Sequence, residues 1–252
     1  MSLTDFVIIL IAGMGAGTIN TVVGSGSLIT FPTLVALGYP PLIANVSNNI
    51  GLVPGSISGV VGYRRELVGQ RDRLRKLVPA SLAGGLTGSI LLLVLPSSVF
   101  DKVVIVLIAI ALVLVVVQPT LSRRLAERRQ AGGHGHRDVT PALAALVAAA
   151  GVYGGYFGAA QGIILIAVLG IFLNDHLQRL NGCKNVLAMT VNATASIVFL
   201  FAADINWAIV AAIAIGSTIG GQIGAKFGRK LDPRLLRVII VVVGLTALVR
   251  LI

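Results

Sequence analysis

Val103–Val117 reads VVIVLIAIALVLVVV, fifteen residues without one polar side chain. A membrane β-strand alternates apolar and polar residues over about ten positions. This run does not alternate, and with its flanks (102–120) it has the length of a bilayer-spanning helix, about 20 residues. Ala142–Ala150 has the same unalternating character. The chain around these runs agrees: 56% of its 252 residues are apolar, 12% are charged, and the mean hydropathy is +0.96. A soluble domain carries about 25% charged residues, so the lipid bilayer is the partner this surface requires. The expected fold is an all-α polytopic membrane protein.

Ten apolar segments follow along the chain, at roughly 5–23, 28–38, 43–63, 77–95, 102–120, 140–158, 163–173, 183–203, 207–226 and 236–252. The second and seventh are too short to span: about eleven residues make about 16 Å of helix. Each is expected to be a half-helix paired with its longer predecessor. The first segment lacks a basic region before it, so it reads as a membrane segment rather than a cleaved signal. The one cysteine, Cys183, has no partner for an internal disulfide.

The net charge of +11 does not point to nucleic acid. The basic residues lie in clusters between apolar runs, where they orient a membrane protein. Arg64, Arg65, Arg71, Arg73, Arg75 and Lys76 form one cluster. Arg123, Arg124, Arg128, Arg129 and Arg137 form a second; Lys226, Arg229, Lys230, Arg234 and Arg237 a third; Arg179 and Lys184 a fourth. Ten alternating segments put all four on one side, 18 of the 20 Lys and Arg. That side is the cytoplasm by the positive-inside rule, with both termini outside a bacterial cytoplasmic membrane.

An offset of 136 residues aligns the two halves without a gap. Gly15 falls on Gly151, Gly26 on Gly162, Asn45 on Asn181 and Asn49 on Asn185. Ser81, Gly84, Gly85 and Gly88 fall on Ser217, Gly220, Gly221 and Gly224. The expected units are a first five-segment repeat at 1–120, a basic Gly-rich linker at 121–139, and a second repeat at 140–252. Five is odd, so the second repeat is expected to be inverted. The basic clusters agree: one follows the third segment in the first half and the fourth segment in the second. Inverted repeats are a recurrent transporter architecture, with sites near the midplane at the repeat interface.

No Asp or Glu lies within a segment interior; all nine acids are in loops or at ends. That removes a buried carboxylate relay and a carboxylate-lined cation path. It suits an anion held by helix N-termini and neutral donors. One donor set is Ser25, Gly26 and Ser27, before the first half-helix, matched by Gln161 and Gly162 before the second. Another is Asn45, Asn48 and Asn49, opening the third segment, matched by Asn181, Lys184 and Asn185. Asn45 and Asn181 read equally as plain N-caps, and Lys184 as a loop charge that sets topology. Gly216, Gly220, Gly224 and Gly228, like Ala80, Gly84 and Gly88, recur every four residues, the spacing of close helix packing. Tyr63 and Trp207 read as interfacial anchors. His134 and His136 lie in the linker without nearby acids or cysteines, a poor metal site. No cofactor or metal is expected, and no enzyme motif is present.

Gly15–Gly51, GAGTINTVVGSGSLITFPTLVALGYPPLIANVSNNIG, resembles the opening motif of the TauE/SafE family, also called the toluene-sulfonate uptake permease family. Gly154–Ile171, GGYFGAAQGIILIAVLGI, resembles its repeated motif. The resemblance covers essentially the whole chain. It implies a secondary transporter of sulfite, sulfonates such as sulfoacetate, or related sulfur-containing anions, often exported. It places motif positions at Ser25, Gly26, Ser27, Pro32, Asn45 to Asn49, Gln161 and Gly162. Many members have three consecutive glycines where this chain has Gly24-Ser25-Gly26-Ser27. An importer of the same anions and a non-transporting membrane scaffold are the competing readings, and a homodimer is left open.

Overall fold

The computed structural model describes residues 1–130, 139–227 and 233–251. The described residues form ten α-helices and no extended strand. They are α1 (Leu3–Val22), α2 (Ser27–Ala36), α3 (Pro41–Gly62), α4 (Arg71–Val94), α5 (Ser97–Gln130), α6 (Pro141–Tyr156), α7 (Gln161–Phe172), α8 (Leu177–Ala202), α9 (Trp207–Phe227) and α10 (Pro233–Leu251). Five are long and apolar enough to cross a membrane: α1, α4, α5 as far as Leu121, α8 and α9. α3 has the length, but three asparagines and three serines lower its hydropathy. α2 and α7 have 10 and 12 residues, the half-helix lengths expected from sequence.

Local chemistry sets the starts. Ser2 and Asp5 close a capping box on α1. Thr140 caps α6 through the Leu143 N–H, with Pro141 in the first turn. Pro41 opens α3, where its missing N–H costs nothing. At the 136-residue offset the starts of α3, α4 and α5 coincide with those of α8, α9 and α10.

Several expectations need correction. α8 begins at Leu177, six residues ahead of the segment read at 183, so Asn181 and Lys184 lie within the helix. The N-cap positions are Pro40 for α3 and His176 for α8, which removes the capping role of Asn45 and Asn181. Lys184 is buried and is not a loop charge. α4 begins at Arg71, so part of the first basic cluster is helical. α5 continues to Gln130, into the stretch read as linker. Tyr63 is buried and does not anchor at an interface, whereas Trp207 is exposed. His134, His136 and Gly228 lie outside the described residues.

The helices pack backbone to backbone. A Cβ on Gly216, Gly220 or Gly224 of α9 would overlap the carbonyls of Leu10, Met14 and Thr18 in turn, so α1 and α9 run parallel in four-residue register. A Cβ on Gly84 or Gly88 of α4 would overlap the carbonyls of Ala148 and Val152, so α4 and α6 do the same. These pairs exchange under the offset, α1–α9 becoming α6–α4. α3 and α8, which match each other under the offset, pack antiparallel: Asn49 meets Ser196 and Ser56 meets Asn192. Lipid tails give helices no hydrophobic reason to associate, and an interhelical hydrogen bond averages about 0.6 kcal/mol. Close van der Waals contact along these glycine stripes therefore carries more of the assembly than bonds such as Thr18 Oγ1 to Gly220 O at 3.0 Å.

At one end of the bundle the α3–α4 and α7–α8 connections are tied together. Asp175 accepts from Arg73 at 2.8 Å and Arg179 at 2.9 Å, and Gln70 donates to Arg179 O at 2.8 Å. Burial pushes the Asp175 carboxyl up, but hydrogen bonds from Arg73, the His176 N–H and Arg179 outweigh it and hold the group below its ordinary range.

Candidate functional site

Each half breaks between its first and second helix, and the breaks share a backbone form. Gly24 has φ +89°, and Ala160, its match at the 136 offset, has φ +60°. Glycine takes this region freely; an L-residue there is strained by about 1–2 kcal/mol. The alanine is held in place by its surroundings, in a chain that has no other non-glycine at positive φ among the described residues.

The two breaks touch. The Gly162 N–H donates to Gly24 O at 3.0 Å, and a Cβ on either glycine would overlap the other's backbone. The direct line between the two half-helix starts is thus closed by the chain itself. The free donors lie beside that contact. Ser25, next to Gly24, and Gln161, next to Gly162, are both buried, and Ser25 Oγ and Gln161 Nε2 have no hydrogen-bond partner among the described residues. These two residues stand 136 positions apart. Leu28 and Ile29 turn their N–H groups back onto Ser25 and Gly26 O, leaving those of Gly26 and Ser27 as the open donors of α2. Gly154 makes room for Gln161: a Cβ there would run into its amide group. An unpartnered buried donor costs about 1–3 kcal/mol, a cost that water or a ligand would offset.

The asparagine sets brace the breaks. Asn45 Nδ2 donates at 3.0 Å to Tyr156 O, at the end of α6. Lys184 Nζ donates to Asn20 O at 3.2 Å and Thr21 O at 3.3 Å, at the end of α1, and Asn185 Nδ2 also reaches Thr21 O at 3.3 Å. Asn20 and Tyr156 match at the same offset, so each half's third helix holds the end of the other half's first. A cation suits a helix C-terminus. Asn20 in turn lies against Gly26, putting Lys184 one residue from the α2 break. Asn48, the match of Lys184, accepts from Thr30 Oγ1 instead. Asn49 accepts from Ser196 at 3.1 Å, away from the breaks, and Asn181 is buried without a side-chain partner among the described residues.

The reading of single residues missed Thr30, Ser56, Asn192 and Ser196, all buried. The offset itself was the signal for one pair, because it carries Ser56 onto Asn192. Among the described residues no cluster of His, Cys, Asp and Glu could hold a metal.

Paired breaks in a ten-helix apolar bundle can be compared with known proteins. The model of the sulfite exporter TauE/SafE family matches residues 9–251. The chain belongs to the TauE/SafE family. Its similarity to individual relatives is modest in identity and extends over most of the chain. It is 23% identical over 238 residues to the probable membrane transporter protein YfcA of Escherichia coli K12, covering 94% of this chain and 86% of that protein. It is 28% identical over 254 residues to the probable membrane transporter protein ORF9 of a Sinorhizobium species, covering 96% and 90%. A probable membrane transporter protein of Haemophilus influenzae is 26% identical over 211 residues. TauE/SafE membership and the apolar helices together make the chain a multi-pass membrane protein of a transporter family.

Proposed function

We propose that this chain is a secondary transporter that exports small sulfur-containing anions, sulfite or sulfonates such as sulfoacetate, across the cytoplasmic membrane. It is built as two inverted five-helix repeats with both termini outside, and the anion binds at the paired breaks. The observation that carries this reading is the matched pair Ser25 and Gln161: two buried donors without partners at two half-helix starts. Half-helix N-termini offer free N–H groups and partial positive charge to an anion. Lys184 supplies one cation nearby, and among the described residues no Asp or Glu is buried to oppose it. The antiparallel packing of α3 on α8 supports the inversion. The Arg73–Asp175–Arg179 tie supports placing those two basic loops on one face.

Flux of sulfite and sulfoacetate in proteoliposomes, with and without a proton gradient, tests the substrate class. The parent is expected to move at least one of them, and Asn185→Ala, which frees the end of α1, to move it more slowly. A parent that moves no sulfur-containing anion in either direction refutes the class. Orientation is tested separately: an impermeant thiol reagent is expected to label Ser98→Cys in intact cells, and Val68→Cys only after permeabilisation.

A further inference from the structure

A cavity of about 410 Å³ opens where α3 begins and α4 and α8 end, lined by Ile43, Val46, Pro96, Ser97, Ala203 and the carboxylate of Asp204 among others. From it a polar stripe runs inward on two facing helices. On α3, Val46 is followed at helical spacing by Asn49 and Ser56. On α8, Ala203 is preceded by Ser196, Asn192 and Asn185, at intervals of 7, 4 and 7 residues that keep one face. All five polar residues are buried. They meet across the seam: Ser196 Oγ donates to Asn49 at 3.1 Å and Asn192 Nδ2 to Ser56 at 3.4 Å. Asn185 ends the stripe on Thr21 O, at the α1 break. The bonding is incomplete. The Asn49 amide nitrogen and the Asn192 amide oxygen have no protein partner among the described residues. Both residues are buried as a whole, but these two atoms are not fully sealed off, and open polar atoms of this kind are satisfied by water or by a polar solute.

We infer that the α3–α8 seam is the polar route by which a solute passes between this cavity and the paired breaks, with Asn192 and Ser196 as lining residues. The inference rests on the transporter reading. It adds a path, and residues that set which solutes pass: amides and hydroxyls, without a formal charge between the cavity and Lys184. The competing account is that the stripe is only interhelical glue, which membrane helices also use.

Water access separates the two without knowledge of the substrate. In a Cys183→Ala background, Ser196→Cys and Asn192→Cys are treated with a negatively charged, membrane-impermeant methanethiosulfonate. The neighbouring Ile197→Cys, 58% exposed on the outside of the bundle, is the lipid-facing control. Gel filtration confirms that each variant is folded. A thiol ionises and reacts in water but not in apolar surroundings, so Ser196→Cys should react at least about tenfold faster than Ile197→Cys. It should do so from the face that labels Ser97→Cys at the cavity rim. If neither Ser196→Cys nor Asn192→Cys outpaces Ile197→Cys, the seam is glue and the route is wrong. A parent that moves no sulfur-containing anion would leave these rates unchanged, so the two readings fail separately.

Discussion

Asn192 Nδ2 donates to Ser56 Oγ at 3.4 Å, and the two residues are 136 positions apart, the offset that matches the halves of the chain. Under the proposed inversion, residues matched by the offset touch only near the axis that relates the halves, and this contact marks where α3 and α8 cross. If α3 and α8 rock about this seam during transport, joining the pair should stop the cycle. Ser56→Cys with Asn192→Cys, in a Cys183→Ala background, is expected to lose most of its flux on treatment with a short bifunctional methanethiosulfonate and to regain it on reduction. Unchanged flux in the cross-linked protein would show that this contact stays fixed.

The glycine stripes make a different prediction. A side chain at Gly220 meets the Met14 carbonyl and one at Gly84 meets the Ala148 carbonyl, both fixed backbone. Overpacking costs about 1–3 kcal/mol where side chains can adjust, and backbone cannot. Gly84→Leu and Gly220→Leu should each reduce the yield of folded protein sharply in fluorescence-detected gel filtration. An abundant, monodisperse Gly220→Leu protein with altered substrate preference would contradict the packing role.

Ala160 offers a gain. Replacing it with glycine relieves about 1–2 kcal/mol of left-handed strain and adds about 0.4–1 kcal/mol of unfolded-chain entropy. Ala160→Gly should therefore stabilise the protein by up to about 1.6 kcal/mol, read as a higher midpoint of thermal unfolding in detergent. Gly24→Ala at the matching break should do the opposite, because its Cβ also meets Gly162.

Asp175 predicts a pH dependence. Its carboxyl is held below the ordinary value, so it stabilises the fold above the unfolded carboxylate pKa of about 3.9 and loses that contribution as pH falls through its own lowered value. The stability difference between the parent and Asp175→Asn should be constant from neutral pH to about pH 4 and shrink below it. A difference that grows on acidification would contradict the ion-pair assignment.

The short α2 and α7 were legible because an apolar run's length sets the length of its helix. The start of α8 was not. Leu177–Leu180 contains Gln178 and Arg179, which look like loop, but Arg179 is held at the bundle end by Asp175 and by Val68 O. That misplacement made Asn181 a cap and Lys184 a surface charge. Lys184 is hidden from sequence for a further reason: the carbonyls that receive it belong to a helix more than 160 residues away. Ser56 and Asn192 escaped because the offset pairs two polar residues of different type there. The helix beyond Leu121 escaped because its charged residues give no apolar signal.

The central claim is that an anion uses the donors of Gln161 and Ser25. Calorimetric titration of sulfite and sulfoacetate into purified parent, Gln161→Ala and Ser25→Ala tests it most directly, with Gly154→Ala reaching the Gln161 amide from behind. One hydrogen bond to a charged group is worth about 1.5–3 kcal/mol, a loss of roughly ten- to a hundredfold in affinity. Each of the three variants should remain folded and bind that much more weakly than the parent. Parent-like affinity in all three would contradict the site.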